Sequence, residues 1–172
     1  MTITATEQRV IAPARWTVDP DESFVEFAVK AFWGVSAVRG RFERFDGSYE
    51  IGPNGTMIEM TIDADSVDTG NRTRDKHLHS TDFFHITEHP RVQFSSTRVH
   101  NVTGEILHIV GHLEAAGNVL LLEFPATIRP VGDGLEVEAT ATVDQSKLGM
   151  SSGPLGMIRP PATLHIKARL SR

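Results

Sequence analysis

The sequence predicts an all-β domain of eight antiparallel strands, with one short helix set into a connection. Three observations lead there. Apolar and polar residues alternate with a period of two in eight separate segments. Turn-forming residues separate several of these segments. A single long stretch, Asp68 to His89, lacks the alternation and is dense in charge and His.

The first strand, Ser23–Lys30, puts Val25, Phe27 and Val29 on one face. Val38–Phe42 repeats the pattern, with Arg39 and Arg41 opposite. Ile58, Met60, Ile62 and Ala64 alternate with Met57, Glu59, Thr61 and Asp63. Val92 and Phe94 mark the fourth strand, and Leu107, Ile109, Gly111 and Leu113 the fifth. Leu122, Phe124 and Ala126 follow, then Leu135, Val137, Ala139, Ala141 and Val143. The last strand holds Leu164, Ile166, Ala168 and Leu170, alternating with His165, Lys167 and Arg169. Gly52-Pro53-Asn54-Gly55, Asn101 to Gly104 and Gly132-Asp133-Gly134 suit antiparallel hairpins. Residues 71–79 are long enough for two helical turns. With Thr81-Asp82-Phe83-Phe84 they read as a packed excursion over one end of the sheet. Ser146–Pro161, rich in Gly and Pro, reads as a mobile rim loop. Residues 1–15 read as a tail and 16–172 as one domain. Eight strands with one apolar face each can close into a barrel or pair as a sandwich, and a barrel leaves no edge exposed.

Composition narrows the function. The chain has 172 residues, 40% hydrophobic and 23% charged, enough for one core without a metal or disulfide. It has no Cys, which excludes disulfides, thiolate catalysis and Cys-type metal sites. A net charge of -5 argues against nucleic-acid binding through phosphates. The longest apolar run, Val119–Leu122, falls far short of the roughly 20 residues of a membrane span. Residues 1–15 lack the apolar stretch of a signal peptide, so the expected location is the cytoplasm.

The inner face offers a candidate ligand lining: Val25, Phe27, Val29, Phe42, Ile58, Met60, Ile62, Phe94, Leu107, Ile109, Phe124 and Ala141. Small residues such as Ala139, Ala141 and Ala168 leave room for a greasy ligand, or pack against bulky neighbours in a solid core. Alternation alone leaves both readings open. The candidate polar rim is Asn71, Arg74, Asp75 and His77; Arg72, Arg74 and Lys76 otherwise form a solvated basic face. Phe32 and Trp33 are candidates for a rim position. No catalytic residue, cofactor or metal site is expected. His85 and His89 would share a face if helical, but Pro90 disfavours helix there. Gly149-Met150-Ser151-Ser152-Gly153 lacks the strand–turn–helix setting of a nucleophile elbow, and no phosphate-binding glycine motif occurs.

An ordered set of residues resembles the YceI-like family of lipocalin-like polyisoprenoid-binding proteins. It begins at Trp16-Thr17-Val18-Asp19-Pro20 and continues through Val38–Phe42 and Phe45-Asp46-Gly47. The strongest block is Ser66–Asn71, Arg74-Asp75, His77-Leu78, Ser80, Asp82-Phe83-Phe84 and His89-Pro90. Phe94–Thr97, Gly111, Leu113, Gly117 and Val143–Met150 complete it. The resemblance implies a lipocalin-like eight-stranded barrel with a short helix around residues 71–79. It implies a tunnel for a polyprenyl phosphate or isoprenoid quinone, bound, sequestered or transported, with transient membrane contact. Glu22, Ala31, Leu113–Val119, Gln145 and Lys147 depart from the family's usual residues, which bears on the head group more than on the fold. Two alternatives stand beside this reading. One is an enzyme using His77 and Asp75 on a lipid-like substrate. The other is a stress-associated structural protein with a filled barrel, forming a homodimer through strand edges or rim loops.

Overall fold

The computed structural model describes residues 13–31, 35–150 and 158–172. Its strands are β1 (Ala14–Ala31), β2 (Ser36–Phe42), β3 (Phe45–Gly52), β4 (Gly55–Asp63), β5 (Val67–Asp68) and β6 (Arg91–Thr103). Four more follow: β7 (Ile106–Ala115), β8 (Asn118–Val131), β9 (Gly134–Val143) and β10 (Ile158–Ser171). One helix, α1 (Arg72–Leu78), lies between β5 and β6. The sheet runs β10-β9-β8-β7-β6-β4-β3-β1-β2-β5, and β1 pairs again with β10. That last pairing closes an eight-stranded antiparallel barrel, in which β2 pairs with the remainder of the β1 edge that β3 occupies, and β5 pairs with β2.

β1 holds the closure together. It pairs with β10 from Thr17↔Ser171 to Ala31↔Ile158. Its other edge is divided: Ala14–Thr17 pair with β3, and Val25–Ala31 with β2. β2 and β3 thus act as one bent stave, broken at Glu43 and Arg44. The β1–β10 register shifts between Asp19 and Phe24, around Pro20, which has no amide to donate. Ser23 Oγ bridges the irregularity. It donates to the Asp19 carbonyl (2.6 Å) and accepts from the Arg169 amide (2.8 Å).

The sequence expectations need three corrections. β3 is a strand the alternation did not single out, because Gly47 and Ser48 interrupt its apolar series. β1 begins at Ala14, inside the expected tail, where pairing with Ile51 extends it. Ile158–Pro161 belong to β10 rather than to a loop. Residues 151–157, Phe32 and Trp33 lie outside the described residues.

The interior holds two large apolar clusters, with a small third one of Val29, Ala31 and Val38. The upper one includes Val25, Phe42, Ile62, Leu78, Phe83, Leu113 and Leu148. The lower one includes Tyr49, Leu107, Ile109, Ala126, Ala139 and Leu170. Phe94 and Phe124 pack against both, with ring centroids 5.5 Å apart. Backbone fit is tight beside Phe94. A Cβ on Gly111 would lie 2.5 Å from both Phe94 Cζ and the Ser95 carbonyl. Gly111→Ala is therefore expected to cost about 1–3 kcal/mol, since a backbone carbonyl cannot step aside cheaply. A urea midpoint within error of the parent would contradict that fit.

Candidate functional site

Two apolar cavities lie within the barrel. The upper, about 110 Å³, is walled by Phe27, Val29, Phe42 and Ile62, and capped by Leu78, Phe83 and Phe84 from the excursion. The lower, about 90 Å³, is walled by Ile58, Met60, Phe94, Ile109, Phe124 and Ala141, among others. Ile62, Leu113 and Leu164 line both, so these three side chains form a closed neck that separates the two cavities. Val25 and Leu107 from the candidate lining are 0% and 3% exposed, but they border neither cavity and lie in the packed wall.

Other lining residues are not in the candidate set. Leu148 and Met150 reach the upper cavity from the 3-10 turn Gln145–Leu148 and its end. Gln145 joins them, and its Oε1 accepts from the Ala162 amide at 3.1 Å. Ser48 and Tyr49 enter the lower cavity from β3. Burial pushes the Tyr49 phenol above its ordinary pKa, and a hydrogen bond with Thr56 works the other way. The phenol is neutral at pH 7. The signal for the cap is the adjacent pair Phe83-Phe84, too apolar for a solvated loop. The signal for Tyr49 is its place two residues from Gly47 and Ile51 in a weak alternation.

The candidate polar rim is occupied with holding the excursion. Asn71 caps α1, its side chain accepting from the Arg74 amide at 3.0 Å. Asp75 Oδ1 accepts from the Thr69 amide (2.9 Å) and hydroxyl (2.5 Å). Arg74 donates from Nε to Thr69 Oγ1 and from Nη2 to the Thr69 carbonyl, both at 2.8 Å. These bonds fasten α1 to the chain leaving β5. His77 stands apart from Asp75. Its Nε2 is 3.6 Å from Asp82 Oδ2, and its ring packs edge-on against Phe83. Among the described residues no hydrogen bond joins His77 to Asp75. Asp75→Ala leaves the Thr69 donors unmet. It should lower stability by about 1–3 kcal/mol in thermal or urea unfolding, and a neutral effect would contradict the fastening role.

His85 and His89 come closer than the sequence suggested. Pro90 does prevent a continuing helix, yet His85 O accepts from His89 N at 2.8 Å, closing one turn. Their ring centroids are 5.6 Å apart. Among the described residues no helix is long and apolar enough to cross a membrane.

The comparisons agree with this architecture. The YceI-like domain matches residues 16–170. A UPF0312 protein of Pseudomonas aeruginosa is 32% identical over 158 residues, 86% of this chain and 82% of that protein. Protein YceI of Salmonella arizonae is 30% identical over 154 residues, 82% of this chain and 80% of that protein. The crystal structure of BcnA from Burkholderia cenocepacia superposes with a TM-score of 0.81 at 19% identity, covering 90% of this chain and 99% of BcnA. A polyisoprenoid binding domain from Saccharophagus degradans gives a TM-score of 0.74 at 14% identity, covering 91% and 97%. At these identities the structural matches speak for the fold, while the domain match spans nearly the whole chain. The closed barrel, its helical cap and this match together place the chain in the YceI-like family.

Proposed function

We propose that the barrel binds a long apolar isoprenoid-type lipid, a polyprenyl phosphate or isoprenoid quinone, along its axis. It sequesters or carries this ligand without turnover. The observation that carries the reading is the pair of apolar cavities inside the barrel, separated only by the Ile62, Leu113 and Leu164 side chains. The polyisoprenoid binding domain of Saccharophagus degradans, which shares the fold, supports it. Burial of each five-carbon prenyl unit is worth about 3–4 kcal/mol before ordering costs. A flexible chain is the ligand shape that can thread a neck.

The cavities of about 110 and 90 Å³ are each smaller than a ligand pocket of about 300–1,000 Å³. Binding therefore requires the neck and cap side chains to change rotamer. The same volumes favour the second reading, a filled structural barrel. Gel filtration after incubation with detergent-dispersed isoprenoid quinone separates the two. Co-elution near one lipid per chain is expected; a lipid-free protein peak would support the filled barrel. A cytoplasmic location belongs to the same proposal, and cell fractionation tests it.

A further inference from the structure

The turn after α1 gathers three metal-binding side chains. His85, Glu88 and His89 each offer one ligand atom, and the three atoms lie within 4.8 Å of one another. Backbone geometry accounts for the grouping. His85 N donates to the Ser80 carbonyl at 2.9 Å. The His85 carbonyl then accepts from Glu88 N (3.2 Å) and His89 N (2.8 Å). This single turn puts residues 85 and 89 on one face. His85 itself sits at φ 52°, in the left-handed region that non-glycine residues seldom adopt. The β7–β8 turn closes on the group from the other side. A Cβ on Gly117, at φ 79°, would lie 2.8 Å from His89 Nε2 and 2.9 Å from its Cε1. Only glycine lets the imidazole approach that backbone so closely.

We propose that His85, Glu88 and His89 form a site for a divalent transition-metal ion of the zinc class, with one coordination position open to water. Two imidazole nitrogens and one carboxylate oxygen suit zinc, whereas calcium and magnesium prefer all-oxygen sites. Zinc bonds of about 2.0–2.2 Å set tetrahedral donors about 3.3–3.6 Å apart. The donors must therefore draw in slightly. Glu88, which is exposed, is free to rotate inward, while the half-buried histidines hold the inner positions. A bound ion cross-links the turn directly behind Phe83 and Phe84, which line the upper cavity. It thus staples the cap of the barrel. The site stands on its own geometry, independent of the lipid reading.

Calorimetric titration of the chelator-stripped full chain with zinc chloride tests the proposal. One equivalent of zinc is expected to bind. His85→Asn keeps a residue type that tolerates positive φ. It should raise Kd by at least about a hundredfold, since outer-shell partners alone command about 10–100-fold. Glu88→Gln, at an exposed position, should weaken binding with the circular dichroism spectrum unchanged. His100 and His108, with ring centroids 4.9 Å apart, are the competing pair, and His108→Asn should leave the titration unaltered. Absence of stoichiometric binding, or tight binding that survives His85→Asn and Glu88→Gln, would overturn the site.

Discussion

Ala141→Phe is expected to abolish uptake of isoprenoid lipid while leaving the barrel folded. Ala141 is 5% exposed on β9, faces the lower cavity, and pairs across the sheet with Leu164 of the neck. A phenyl ring there competes for the roughly 90 Å³ of open space and crowds the neck. Overpacking of this kind costs about 1–3 kcal/mol, less than the about 5–15 kcal/mol that keeps a domain folded. The gel-filtration assay with isoprenoid quinone reads the loss, and circular dichroism confirms the fold. Full uptake by a folded Ala141→Phe protein would move the lipid out of the lower cavity and contradict the proposed lining.

Phe42→Ala should have the largest effect on stability, about 3–5 kcal/mol. Phe42 is 5% exposed, with ring centroids 5.6 Å from Phe27 and 5.7 Å from Phe84. Its backbone pairs with Val67 of β5. One side chain therefore joins β2 to β1 and to the excursion that caps the barrel. Truncation removes both ring contacts and enlarges the upper cavity. Urea unfolding measures the cost. Hydrogen exchange in residues 69–90 should quicken more than exchange in β7 and β8, because the cap loses its anchor. A loss below about 1 kcal/mol would mean that the cap is held elsewhere.

Much of this architecture was legible in the sequence because each barrel strand shows one face to an apolar interior. Period-two alternation records that directly. It located Val25, Phe27 and Val29 on β1, and Ala139, Ala141 and Val143 on β9. It failed at β3, where Ser48 is buried beside Tyr49 and polarity no longer tracks exposure. The cap was legible in outline, from Asn71 as a helix start and from Phe83-Phe84. Its fastening was not, because the Thr69–Asp75 and Thr69–Arg74 bonds depend on how the chain turns at Gly70. Val25 and Leu107 show a different limit. Alternation says which residues face inward, but packing decides which inward residues border open space. The grouping of His85 with Glu88 and His89 was hidden for a related reason. Pro90 rules out a continuing helix, but a single turn closed by the His85 carbonyl needs none.

A barrel interior that is a binding site rather than a finished core should retain lipid through purification. Mass spectrometry of an organic-solvent extract of the purified protein tests it most directly, compared with a mock purification from the same cells. A prenyl lipid is expected at near-stoichiometric amount, and its mass also identifies the head group. An extract without lipid, from a protein that also fails to take up added isoprenoid quinone or polyprenyl phosphate, would contradict it and leave the barrel as a packed scaffold.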